Sequence, residues 1–219
     1  MKRKQFLRYT GAALSVAALG PVLTACGGGS DFVSTAPAAT VGILSPEEIA
    51  GLKFMREEEK LAHDVYVYLY GLWGANPNAT VFSLIALSET THTEAILALL
   101  VKYGIADPAA GKLPGEFTDP ALQTLYNTLI GMGQVSLIEA LKVGALIEET
   151  DIHDINAKKA VTDEVDIVQV YDSLLCGSRN HLRAFNTQLL ALGVTYVPTV
   201  ITQAEWDAIA NALPETCGG

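Results

Sequence analysis

The chain has 219 residues, half of them hydrophobic, and a formal net charge of −10 at pH 7. That length suffices for one domain with a sizeable core. The acidic balance excludes nucleic acid as a partner and a basic surface that would bind anionic lipid.

The first segment reads as a targeting signal. Lys2, Arg3, Lys4 and Arg8 precede a small, apolar run from Gly11 to Ala25. This run is too short and too rich in Ala and Gly for a membrane span, and it reads as the apolar region of an export signal. It ends in Leu23-Thr24-Ala25-Cys26 followed by GGGS, which resembles a bacterial lipobox. Cleavage before Cys26 would leave the thiol to carry lipid, with the domain at the cell envelope facing the periplasm or the cell exterior. The alternative is an ordinary signal peptide with a chance cysteine. Arg3-Lys4-Gln5-Phe6-Leu7 is also similar to a twin-arginine export signal with Lys in place of one Arg. Residues 1–25 hold basic but no acidic side chains, so removing them makes the chain more acidic still. Residues 26–44, mostly Gly, Ser, Thr, Ala and Pro, read as a tether.

Helical pattern begins at Ser45-Pro46-Glu47-Glu48, with Ser as N-cap, Pro at the first helical position and acids in the first turn. This helix is predicted to run to about Trp73, where Gly74-Ala75-Asn76-Pro77 breaks it. A second spans about Thr80 to Tyr103, and the short turn makes the two antiparallel neighbours. After a Gly- and Pro-rich stretch over 104–117, Thr118-Asp119-Pro120 starts a short helix to about Ile130. Long helices follow over about Val135–Lys159 and Val165–Leu192. The tail, 196–219, carries a last short helix from about Gln203 to Leu213. No segment alternates with period two, so the class is all-α. Four long helices over 45–195 with one long central crossover have the connectivity of ferritin-like bundles.

Helical spacing also sorts the acids and histidines. Glu89 and His92, three apart, fall in the apolar stripe of the second helix and can reach one metal. Glu148 lies in line with Leu137, Leu141, Ala145, Ile152 and Ile155, whereas Glu149 turns toward a more polar face with Lys142 and His153. His181 sits between Leu174 and Phe185 in the fourth long helix. Burying each unpaired charge costs several kcal/mol, so four such groups on inner faces imply a shared cation. In Glu57-Glu58-Glu59, Glu57 turns to a solvated face with Lys60 and Asp64, and periodicity leaves Glu58 and Glu59 close. Cys176 and Cys217 have no spacing that specifies a pairing, and a structural or incidental role is read for both.

Glu59-Lys60-Leu61-Ala62 with Tyr66 resembles the first-helix signature of bacterioferritin and rubrerythrin relatives. Glu89 with His92, Glu148 and His181 are similar to the ligands of their later helices. MREEEKLAHDVY, VGALIEETDI and GSRNHLRAF resemble a ferritin-like domain-of-unknown-function family, family 2202. The resemblance implies a pair of iron or manganese ions held by Glu59, Glu89, His92, Glu148 and His181. Glu89 and Glu148 would bridge, Glu59 would be terminal, and each His would hold one ion. Tyr66, Glu58, Asp151 and Ser178 would stand around them, with His63 at the rim. One departure is Ser178, where those relatives have a glutamate three residues before the histidine; Asp151 is a substitute carboxylate. The five-ligand set is similar to that of dinuclear manganese catalases. The implied chemistry is oxidoreduction of peroxide or dioxygen. Its alternatives are a non-catalytic metal-handling lipoprotein and an interaction module on the same scaffold. Partners are then small oxygen species or metal ions, with the membrane met only through lipid; a homodimer is compatible with this reading and a storage cage is not.

Overall fold

The computed structural model describes residues 42–218. The export signal over 1–25, Cys26 and most of the tether lie outside these residues. The helices are α1 (Pro46–Trp73), α2 (Thr80–Lys102), α3 (Pro120–Gly133), α4 (Leu137–Lys159), α5 (Val165–Ala191) and α6 (Gln203–Ala210), with a 3-10 turn at Pro77–Ala79 before α2. No strand occurs among the described residues, and the all-α bundle expected from periodicity is what forms.

Local chemistry fixes the helix starts. Ser45 Oγ accepts from the Glu48 amide at 3.2 Å while the Glu48 carboxylate accepts from the Ser45 amide at 2.8 Å, closing a capping box. Asp119 and Ser136 cap α3 and α4 through their side chains, and Thr202 with Glu205 repeats the box on α6. Helix α3 runs one turn past the expected stop at Ile130, because Gly131 and Gly133 are tolerated once Gly133 packs on Leu69. Helix α6 ends at Ala210, short of the expected Leu213, with Asn211 as its C-cap.

Helix α1 packs along α2, and α4 along α5. The pairs meet through α2 on α5 and α1 on α4, and α3 lies over both α1 and α4. One end of the core is an aromatic cluster, with the rings of Tyr66 and Phe82 5.3 and 5.4 Å from that of Phe185. Gly144 admits this cluster, since a Cβ there would meet the Phe185 ring at 2.3 Å.

Three expectations about the polar faces fail together, for one reason: irregular chain returns over them. Glu57 is 3% exposed, not solvated. It accepts from the amides of Thr118 and Asp119, so it holds the start of α3. Asp64, beside it, is buried under the same crossover and accepts from the Gly115 amide at 2.8 Å. Glu149, expected on a polar face, is fully buried beneath the C-terminal segment. That segment is no loose tail: Tyr196, Ile201 and Trp206 join the core.

Cys176 and Cys217 form a disulfide. It works beside an ionic latch in which Glu215 binds Arg179 and Arg183, with Nη2–O distances of 2.5 and 2.6 Å. Closing a 41-residue loop is worth about 4 kcal/mol in chain entropy. Cys217→Ser should therefore lower the unfolding free energy by about that amount, read as a lower denaturant midpoint with a larger m value because the unfolded chain opens further. A midpoint equal to wild type would show that the latch and core hold the segment unaided.

Candidate metal centre

The four long helices together turn five polar side chains inward: Glu59 from α1, Glu89 and His92 from α2, Glu148 from α4 and His181 from α5. The spacing of three between Glu89 and His92 sets both on one face. Each of Glu59, Glu89 and Glu148 is 1% exposed, so their charge must be met inside the protein.

The donors sort into two groups that share Glu89, namely Glu59–Glu89–His92 and Glu89–Glu148–His181, with ligand atoms in each group within 4.8 Å of one another. Glu89 reaches both sides: Oε2 lies 2.8 Å from His92 Nδ1 and Oε1 lies 2.8 Å from His181 Nδ1. The outer carboxylates stand a little further off, with Glu59 Oε2 at 3.2 Å from His92 Nδ1 and Glu148 Oε2 at 3.4 Å from His181 Nδ1. The two imidazoles are stacked, their centroids 5.4 Å apart.

The orientation of His181 is set from behind. Its Nε2 contacts Ser88 Oγ at 2.9 Å, which turns Nδ1 toward the carboxylates. Although only 2.8 Å from Glu89 Oε1, this Nδ1 makes no hydrogen bond, and neither does Glu59 Oε1. Close donor atoms without hydrogen-bond geometry are what a shared cation requires. Tyr66 donates its hydroxyl to Glu148 Oε1 at 2.5 Å, holding that carboxylate as expected. Ser178 donates to Asp151 Oδ2. Asp151, Glu58 and His63 stand outside both groups.

Residues 48–213 match the family model described as "Uncharacterized protein domain (DUF2202)". The chain belongs to the DUF2202 family. It is 42% identical over 185 residues to the uncharacterized protein MJ0754 of Methanocaldococcus jannaschii, an alignment covering 84% of this chain and 96% of the relative. A crystal structure titled as hypothetical protein MJ0754 from Methanococcus jannaschii superposes with a TM-score of 0.77 at 43% identity, covering 81% of this chain and 99% of that one.

Within this centre, imidazolium charge balances the buried carboxylates. Burial disfavours a charged His181, but Glu89 and Glu148 outweigh it and raise the group to about 10. His92 is likewise raised well above its ordinary value, by Glu89 and Glu59 against burial. Burial would lift Glu89, yet His181 and His92 hold it well below the carboxylate range. Glu59, with fewer counter-charges, is raised by burial to about 7 despite His92.

Sequence reasoning missed two participants. Ser88 gave no signal beyond its place next to Glu89. Gly177 did give one, as a glycine in mid-helix four residues before His181. A Cβ at 177 would lie 2.5 Å from His92 Nε2, so the missing side chain makes room for the stacked rings. Gly177→Ala should displace His92 and weaken metal binding about tenfold, by the measure of substitutions just outside a ligand shell. Chelator competition reads this, and equal affinities would mean that α5 shifts to absorb the methyl.

Proposed function

We propose that this DUF2202 chain is a ferritin-like di-metal carboxylate protein that carries out redox chemistry on peroxide or dioxygen at the cell envelope. The observation that supports it most is the sharing of Glu89 between two buried Glu/His groups, each imidazole presenting Nδ1 inward. Imidazole and carboxylate donors suit iron or manganese. Glu59 with His92 would hold one ion, Glu148 with His181 the other, and Glu89 would bridge them. The bridging role expected of Glu148 gives way to a terminal one, because Glu148 falls in only one group. Such a pair, when bound, supplies and recovers two electrons in its apolar surroundings.

The chain's own groups favour small substrates. Among α1, α3 and α4 lies a cavity of about 20 Å³ lined by Leu61, Ala62, Leu125, Leu129 and Ile147, with Glu58 and Asp151 in its wall. It is lined by sequence neighbours of Glu59 and Glu148 and by none of the five proposed ligands. That volume admits about one water-sized molecule. Peroxide disproportionation suits it and needs no outside reductant: one peroxide is oxidised to dioxygen and another is reduced to water. Tyr66 keeps Glu148 oriented, and the apolar lining limits bulk water.

A metal-handling role without turnover is the second reading, favoured by Ser178 standing where a further carboxylate would complete the donor set. The test is to purify the full chain from cells grown with iron and manganese, count metals, and assay peroxide loss. About two redox metals per chain with turnover is the expected result, and two without turnover selects the second reading. No bound metal, with melting unchanged in His92→Ala and His181→Ala, would sink both. Lipid at Cys26 would hold the domain at the membrane, so Cys26→Ala should move the protein to the soluble fraction.

A further inference from the structure

The two halves of the centre are built alike except at one position. Helix α2 supplies Glu89 and, three residues on, His92; helix α5 supplies Ser178 and, three residues on, His181. Glu59 and Glu148 serve the two halves as matching outer carboxylates. By this internal symmetry the counterpart of Glu89 on α5 is Ser178, which is fully buried and has no carboxylate to offer. Its hydroxyl instead donates to Oδ2 of Asp151, a residue on α4 one turn beyond Glu148.

Asp151 is 5% exposed, and its second oxygen, Oδ1, has no hydrogen-bond partner. A buried carboxylate with one oxygen pinned and the other free is costly to keep unless something meets the free oxygen. Asp151 follows Glu148 by one turn on α4 and shares a cavity wall with Glu58 of α1. Glu59 Oε1 is an equally unpartnered buried atom on the facing helix. Three free carboxylate oxygens, Glu58 Oε2 and Glu59 Oε1 from α1 and Asp151 Oδ1 from α4, are thus left over once the imidazole contacts are made. Of these, Asp151 Oδ1 is the one next to the position of the missing α5 carboxylate.

We propose that Asp151 is a sixth metal-ligating side chain, a carboxylate shared by the two halves as a counterpart to Glu89, with Ser178 as its positioning residue. This rests on the dinuclear reading above. Asp151 stands outside both ligand groups, so its free oxygen would have to turn toward the ions while Ser178 keeps hold of the other. The serine hydroxyl and the α4 carboxylate together do what one longer acidic side chain on α5 would do.

The test uses the full chain loaded with manganese, reading ions per chain after gel filtration, chelator-competition affinity, and the electron paramagnetic resonance signal of a coupled pair. Asp151→Asn keeps size and removes charge. It should weaken at least one ion about a hundredfold and abolish the coupled signal, a larger loss than the tenfold or so expected of Ser178→Ala. Asp151→Ala combined with Ser178→Glu returns a carboxylate from the neighbouring helix and should restore two coupled ions. This double variant also carries the test if Asp151→Asn alone does not fold. Two ions at wild-type affinity in Asp151→Asn would overturn the assignment and leave the dinuclear reading standing. So would a folded double variant that holds fewer than two. Wild-type protein that binds no manganese or iron removes the dinuclear reading itself.

Discussion

Glu89→Gln is expected to empty both halves of the centre and to destabilise the metal-free protein by about 3 kcal/mol near pH 6. Each Glu89 oxygen faces one imidazole nitrogen at 2.8 Å, so a carboxamide, equal in size, presents an N–H donor to one of them. On the proposed dinuclear reading, both ions would lose their shared ligand at once. The pH choice follows from the shifts. His181 is raised from 6.5 to about 10, so its contribution is fully present below 6.5 and is lost as pH rises through 10. Glu89 is depressed from 4.5, so its contribution is present above 4.5 and is lost as pH falls below it. The window of full effect lies between those values. Melting of metal-free wild type and variant should differ most at pH 6 and converge by pH 10. A gap that persists at pH 10 would mean that the loss comes from packing and not from the ion pairs.

The same protons govern loading. An imidazole that stays protonated to about pH 10 must release its proton before it can ligate, so apparent metal affinity should climb steeply between pH 6.5 and 8.5, about tenfold per pH unit for each proton displaced. Chelator competition across that range measures the slope. A flat profile would show that the imidazoles are already neutral before the metal arrives.

What was legible in the sequence is local. The helix limits follow from caps and breakers within a few residues, and the five proposed ligands follow from spacings of three and four on single helices. Glu59 and Glu58 are separable only through the resemblance carried by Ala62 and Tyr66; of the two, Glu59 falls in a group that could hold a metal and Glu58 does not. The failures are all non-local. Glu57 is held from 61 and 62 residues away, and Glu149 from 47 to 52 away, by segments without periodicity. Amphipathic reading assigns a helix's polar face to water, and here the crossover and the C-terminal segment cover it. The disulfide belongs with them, since only the return of the chain end brings Cys217 to α5.

Glu149→Ala is the second substitution expected to act strongly, at about 4 kcal/mol, by releasing the C-terminal segment. The fully buried carboxylate accepts from the Tyr196 hydroxyl at 2.7 Å and from the Thr199 amide and hydroxyl at 3.0 Å. The amides of Val200 and Ile201 follow at 3.1 and 3.3 Å. Successive N–H groups converging on one anion form a nest that the chain fills with its own side chain. Removing it strands the Tyr196 hydroxyl and the Ile201 amide, whose residues are buried, at about 1 kcal/mol or more each, while the exposed Thr199 and Val200 turn to water and release the stretch. Tyr196, whose ring lies 4.7 Å from that of Trp206, loses its anchor at the same time. The disulfide and the Arg179–Glu215–Arg183 latch still fix the far end, so opening should be confined to the stretch between α5 and the latch. Hydrogen exchange should accelerate at Thr199 to Ile201, while manganese stoichiometry stays at the wild-type level. Glu149→Gln, which keeps one acceptor oxygen, should lie between. If instead the ions are lost along with amide protection, then the cover over α4 supports Glu148 as well as itself, and the two neighbouring glutamates form one cooperative unit.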